Sequence, residues 1–165
     1  MLKKDLLIAP VCEGTLVLVM ALAAWATHNP LIFTSLGPTA YELVETPERP
    51  SARPYNILMG HFIAVLAAFL GVYAAGAAHV PGVSEAGVAL PRVCAATIAA
   101  ALTVFVTLAV HATQPAALST TLLIALGNMP HWRDGFFIMG AVLLMTALGQ
   151  PIRMWRKSIH KKRQA

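Results

Sequence analysis

Four long apolar stretches divide the chain, and each is about as long as a membrane-spanning helix. They cover residues 11–27, 55–78, 92–111 and 136–155, and few charged residues interrupt them. A helix that crosses the roughly 30 Å hydrocarbon core of a bilayer needs about 20 mainly apolar residues. The pattern therefore predicts an all-α membrane protein with four full transmembrane helices.

Two shorter apolar stretches each follow a break in a long one. The helices of the first and third stretches are expected to break just after their ends, at Asn29-Pro30 and Gln114-Pro115, because proline disfavours the helical region for the residue before it. The chain then resumes as short helices near residues 35–45 and 116–126, and we expect Ser35 to cap the first. About ten helical residues cover only about 15 Å, or half a bilayer. Two broken or half-helices are thus predicted beside the four full ones.

The two halves of the chain resemble each other. Each has an apolar helix ending in histidine, at His28 and His111, then a proline break, a hydroxyl-rich short helix, and a span with Met-Gly near its start. This similarity predicts an internal repeat, residues 11–79 and 88–156, within one integral membrane domain of residues 1–165. Inverted repeats of this kind are a common architecture of transporters.

The broken segments leave two possible threadings. If each broken segment completes a crossing, each half crosses three times and the halves form a 3+3 inverted repeat. If each segment dips in and returns, there are four crossings and the halves run parallel. The first version places Arg49 and Arg53 on the cytoplasmic side, as the positive-inside rule prefers, so it is favoured.

Composition and charge agree with a membrane protein. The chain is 58% hydrophobic and only 12% charged, with a net charge of +5, whereas soluble domains carry about 25% charged residues. Basic residues at both ends predict cytoplasmic termini in the inner membrane of a bacterium. The basic tail, residues 153–163, is expected to meet lipid headgroups, and no nucleic-acid partner is expected. The first 26 residues are similar to a signal peptide, but the rest of the chain is itself membrane-like, so we interpret them as the first span.

The sequence carries few signs of an enzyme. Its six histidines are scattered, and there is neither a Gly-rich phosphate loop nor a Gly-x-Ser-x-Gly elbow. Cys12 and Cys94 lie far apart in apolar segments and are expected to be free thiols. We therefore expect no enzymatic activity, no cofactor and no metal. A hydrolase using Ser119 with His111 is a minor alternative.

The broken helices point instead to a binding site for an anion. Irregular backbone at membrane depth survives only where it is buried in protein or lines a cavity, and helix N-termini attract anions through their free N–H groups. We expect both short helices to direct their N-termini at one shared polar cavity near the membrane midplane. The candidate substrate-binding residues are Ser35, Gly37, Thr39, Asn56, His61, Gln114, Ala116, Ala117, Ser119 and Thr120.

Two alternatives stand beside this interpretation. Hydroxyl groups in membrane helices often bond only to their own backbone or to a neighbouring helix. The chain would then be a scaffold or sensor subunit that transports nothing and binds a partner protein. His61 favours the functional interpretation, because ionisable side chains inside a membrane are rare and usually functional.

Two motifs resemble the HPP family of integral membrane proteins. The stretch SLGPTAYELVETPERPSARPYNILMGH is similar to a family signature of Ser-x-Gly-x-Ser/Thr-Ala, a short polar loop, Gln-Pro-x-Asn and Gly-His. The stretch QPAALSTTLLIALG resembles the motif that names the family, His-Pro-Pro-Ala-x-x-Thr-x-Leu-Leu. The name-giving motif departs at two places here, since Gln114 stands for the histidine and Ala116 for the second proline.

The resemblance implies a function as well as a fold. Members of the family have been linked to nitrite transport, so it implies a transporter or channel for a small monovalent anion, nitrite first. Gln114 keeps a hydrogen-bond donor but removes a titratable group, so proton coupling through that position would be lost. A membrane protein with so few spans is also expected to form homo-oligomers.

Overall fold

The prediction of an all-α membrane protein is confirmed. The computed structural model describes the backbone of residues 5–164 and the side chains of residues 6–159, and this part of the chain contains no strand. Its helices are α1 (Asp5–Thr27), α2 (Leu36–Glu45), α3 (Pro54–Ala74), α4 (Val83–Ala86), α5 (Leu90–Ala109), α6 (Pro115–Ala125) and α7 (Trp132–Gln164), with a 3-10 turn at Pro50–Ala52. Four of them, α1, α3, α5 and α7, are long and apolar enough to span a membrane, and α6 is a shorter apolar helix.

The two short helices follow the predicted breaks. α2 has 10 residues and α6 has 11, and Pro115 lies in the first turn of α6, where its missing N–H leaves no bond unmade. After α1 and α5, His28 and His111 adopt φ angles of 52° and 55°, a left-handed conformation that is uncommon for residues other than glycine. Both halves thus turn the chain in the same way at corresponding histidines. The internal repeat itself stays a prediction.

Hydrogen bonds define the two ends of the bundle. At what we call the Arg49 end, the Tyr55 hydroxyl at the start of α3 donates to the carbonyl of Val110 after α5. At the opposite end, which we call the Arg92 end, the amide of Val83 donates to the carbonyl of Leu126 after α6. α3 and α6 therefore run in the same direction, and α5 runs against them.

The contacts also give the direction of the remaining helices. Arg156 near the end of α7 donates to the carbonyl of Val44 near the end of α2, so both helices finish at the Arg49 end. Glu13 of α1 lies close enough to Glu45 for their charges to interact, so α1 begins there. This course agrees with the threading in which each broken segment completes a crossing.

α3 is the central helix of the bundle. About 61% of its apolar stretch is buried, against 17% for α1. The exposed side chains of α1 are apolar except Thr15 and Thr27, whose hydroxyls donate to carbonyls of their own helix. A Cβ atom on Gly71 would lie 2.7 Å from the carbonyl oxygen of Ala95 and 2.8 Å from Cβ of Ala99. Small residues at these positions let α3 and α5 pack backbone to backbone, as is common for helices in membranes.

The basic C-terminal segment differs from the expectation that its arginines meet lipid headgroups. Arg153 and Arg156 are 9% and 1% exposed. Arg153 donates through Nε to the carbonyl of Pro47 at 2.8 Å, and Arg156 donates through Nε to the carbonyl of Val44 at 3.0 Å. These side chains therefore complete the C-terminal end of α2, whose last carbonyls have no partner within the helix.

Candidate functional site

A ring of hydrogen-bonded polar side chains lies in the middle of the bundle. Its members are Ser35, Thr39, His61 and Thr120, each with 0% exposure. Ser35 Oγ lies 2.7 Å from Thr120 Oγ1, Thr120 Oγ1 lies 2.8 Å from His61 Nδ1, and His61 Nε2 lies 3.3 Å from Thr39 Oγ1. Thr39 closes the ring by donating to the backbone carbonyl of Ser35 at 2.9 Å. We call these four residues the polar ring.

Three helices supply the polar ring. Ser35 and Thr39 are four residues apart at the start of α2, and residues at this spacing share one face of a helix. His61 lies in the second turn of α3, and Thr120 lies in the middle of α6. The polar ring thus joins both half-helices to the central helix α3. Its four residues come from both halves of the sequence.

The distances determine which atoms donate if the His61 imidazole is neutral. Thr39 uses its only hydroxyl hydrogen on the Ser35 carbonyl, so it accepts from Nε2–H of His61. Nδ1 then has no hydrogen and accepts from Thr120, whose own oxygen accepts from the Ser35 hydroxyl. Four hydrogens therefore make four bonds, and no member of the ring is left unsatisfied.

Ser35 does not cap α2 as predicted. The structure gives it no side-chain cap bond, and its backbone is helical, with φ −78° and ψ −10°. Its hydroxyl donates to Thr120 of the other half-helix instead. The prediction was wrong because a cap is a local interaction, whereas this serine has a partner 85 residues away.

The N-terminus of α6 is capped by its own side chain. Gln114 Oε1 accepts from the amide of Ala116 at 3.2 Å, and the Gln114 carbonyl accepts from the amide of Ala117. Nε2 of Gln114 is buried and has no hydrogen-bond partner among the described residues. Gly60 of α3 makes room for this cap, since a Cβ there would lie 2.7 Å from Gln114 Cβ.

The structure brings together only part of the predicted site. Asn56 donates to the carbonyls of His111 and Thr113 at the Arg49 end, beside the Gln114 cap and outside the polar ring. Gly37 lines an apolar pocket of about 300 Å³ with residues of α1 and α7. Ser119 is half-buried and makes no hydrogen bond with the described residues.

The two half-helices also meet differently from the expectation of two N-termini facing one cavity. Ser35, the residue before α2, contacts the middle of α6 through Thr120, while α6 begins about one and a half turns away at Pro115. Ala116 and Ala117 lie buried in the first turn of α6, where Gln114 already occupies their amides. Side chains of the polar ring therefore supply the donors at the centre, and the helix ends contribute less than expected.

Two features of the site were not predicted from the sequence. Arg92 caps the C-terminus of α6, just as Arg156 caps that of α2. Glu42 is 9% exposed, and its Oε1 accepts from Ser51. Its Oε2 is buried and has no hydrogen-bond partner in the described part of the chain. A helical wheel would have placed Glu42 on the face of Ser35 and Thr39.

A pocket opens at each end of the bundle. The pocket at the Arg49 end has a volume of about 420 Å³ and is lined by Arg49, Pro50, Ser51, Asn56, His111, Thr113 and Pro115. The pocket at the Arg92 end has a volume of about 430 Å³, and its lining includes His79, Arg92 and His131. Each pocket thus has an arginine and at least one histidine, and the polar ring lies between the two levels.

Four spanning helices, two half-helices and a buried polar ring define an integral membrane protein built around a polar centre. The model of the family described as HPP, transmembrane region, matches residues 4–164. The chain belongs to this family. No curated protein and no solved structure matches it.

Proposed function

We propose that the protein carries a small monovalent anion across the membrane and that nitrite is the first candidate. The polar ring is the observation that carries this proposal. Four fully buried polar side chains at the centre of a membrane bundle are more than packing requires, and an ionisable residue at such a depth usually has a function. The choice of nitrite comes from the family resemblance.

The chemistry of the polar ring suits weak binding of an anion. Three hydroxyls and one imidazole can turn their hydrogens toward a negative charge, and none of them brings a permanent positive charge. The buried arginines of the described structure lie at the ends of the bundle, where Arg92 and Arg156 bind backbone carbonyls. A transported ion must leave as well as bind, so modest affinity is an advantage.

The two end pockets supply the access routes of this proposal. Arg49 lines one pocket, so this mouth would raise the local concentration of anions. Arg92 and Glu85 both line the other pocket, so that mouth combines a positive and a negative charge. We assign the Arg49 end to the cytoplasm, because its loop also contains Arg53 and the positive-inside rule favours that side.

The proposal predicts that Thr120→Val slows uptake of nitrite into proteoliposomes by about 10-fold. The substitution keeps the volume of the side chain but removes the hydroxyl shared by Ser35 and His61, and hydrogen bonds to a charged group contribute about 1.5–3 kcal/mol. Thr146→Val is the matched control, because Thr146 is also buried and its hydroxyl bonds only to Val142 of its own helix. Initial rates for nitrite, nitrate and formate measure the effect.

Two outcomes would count against this assignment. Equal rates for the Thr120 and Thr146 variants would remove the polar ring from the transport path. Absence of flux in the wild-type protein for all three anions would contradict transport itself and favour the scaffold alternative.

A further inference from the structure

We propose that His61 binds a proton that crosses the membrane together with the anion. Protonation of its imidazole would reverse part of the polar ring and turn the Ser35 hydroxyl toward the anion. This inference rests on the proposed function and adds the coupling ion and its binding residue. It follows from counting hydrogens in the ring.

The neutral ring has no hydrogen to spare. Ser35 donates to Thr120, Thr120 donates to His61 Nδ1, Nε2–H of His61 donates to Thr39, and Thr39 donates to the Ser35 carbonyl. Each of these four hydrogens is already bonded to an acceptor within the ring. An anion that enters beside this neutral ring finds no free donor.

One added proton changes the direction of two bonds. Protonated at Nδ1, His61 donates there to Thr120 at the same 2.8 Å contact. Thr120 must then turn its hydrogen to Ser35 Oγ, across the 2.7 Å contact. The Ser35 hydroxyl keeps its hydrogen but loses its acceptor, so the ring now holds five hydrogens and only four acceptors. The anion supplies the fifth acceptor.

The charges around His61 strengthen this coupling. On α2 the nearest acid is Glu42, one turn beyond Thr39 and bonded to Ser51, and α6 has no ionisable residue. Among the described arginines of α5 and α7, Arg92, Arg153 and Arg156 bind backbone carbonyls at the bundle ends, and Arg133 is exposed at the Arg92 end. Within the described residues no carboxylate forms an ion pair with His61, so an anion would be the counter-ion of an imidazolium at this position.

The cycle balances in charge and in protons. A proton from water at one end binds His61, the anion binds the freed hydroxyl, and the pair is neutral. Release of both at the other end returns the imidazole to its neutral form and restores the bond from Ser35 to Thr120. Because each ligand favours binding of the other by the same factor, one proton moves with one anion in the same direction.

The test uses proteoliposomes with a pH gradient that is acid outside. The wild-type protein should take up nitrite about 10-fold faster with a gradient of about one unit than without it, after subtraction of the rate in protein-free liposomes, which measures passive entry of nitrous acid. His61→Gln should lose this acceleration, because its amide keeps one donor and one acceptor but does not titrate. His28→Asn should behave like the wild type, because His28 is exposed after α1 and lines neither end pocket, and asparagine tolerates its positive φ.

A second measurement separates failure of the coupling from failure of transport. If the wild type transports nitrite equally fast with and without the gradient, or if His61→Gln keeps the acceleration, coupling through His61 is wrong while transport stands. If the wild type transports nothing, nitrogen-15 NMR of the histidine rings still tests the polar ring. A hydrogen on Nε2 in nitrite-free protein, with a second on Nδ1 when nitrite is added, supports the relay, whereas a nitrite-insensitive ring spectrum contradicts it.

Discussion

Arg92→Met is expected to lower the free energy of unfolding by about 3 kcal/mol. Arg92 is 1% exposed, and its guanidinium donates to the carbonyls of Val80, Pro81 and Ala125. Methionine has similar length but no donor, so three carbonyls lose their partner, and each buried unsatisfied group costs about 1–3 kcal/mol. Water entering from the adjoining pocket can bond to these carbonyls, so the expected loss is close to the lower limit for three such groups, about 1 kcal/mol each.

The same substitution at Arg133 is the control for this prediction. Arg133 lies near the same end of the bundle, its side chain is 77% exposed, and its contact with Asp134 is 3.9 Å. An exposed pair of this kind contributes little, so Arg133→Met should change stability by less than about 0.5 kcal/mol. Titration with SDS in mixed micelles measures both variants, and equal effects would show that Arg92 has no special role at the end of α6.

Gly60→Val should also destabilise the protein by about 3 kcal/mol and reduce anion uptake. The new Cβ would lie 2.7 Å from Gln114 Cβ and 3.2 Å from the carbonyl oxygen of Ala112, too close for either to stay. Overpacking in a core costs about 1–3 kcal/mol, and loss of the Gln114 cap on α6 adds about 1 kcal/mol. Uptake falls because α6 carries Thr120 into the polar ring.

Gly140→Val tests this prediction with the corresponding Met-Gly pair of the second half. A Cβ on Gly140 would have no neighbour within 4 Å, and valine is slightly better than glycine in a helix interior. We expect its stability to stay within about 0.5 kcal/mol of the wild type and its uptake to be unchanged. A large loss at position 140, or none at position 60, would mean that the contact with Gln114 does not decide the outcome.

The sequence predicts the four residues of the polar ring but not the hydrogen bonds that join them. Ser35, Thr39, His61 and Thr120 are all among the predicted site residues, because polar groups inside apolar stretches stand out. Their hydrogen bonds join residues up to 85 positions apart, and no local pattern encodes such pairs. For the same reason Ser35 was assigned a local cap, and Arg156 a place among lipid headgroups.

Hydrophobicity alone determined that this chain is an all-α membrane protein with four spans and two interrupted helices. Lipid offers no partner for backbone N–H and C=O groups, so span length and proline breaks are local consequences of the solvent. The tertiary structure decided which polar groups meet. Ser35, just before α2, contacts the middle of α6, Gln114 occupies the first amides of α6, and arginines complete both half-helices. These contacts depend on the close packing of α3 against its neighbours. Gly60 and Gly71 allow that packing because neither has a Cβ atom.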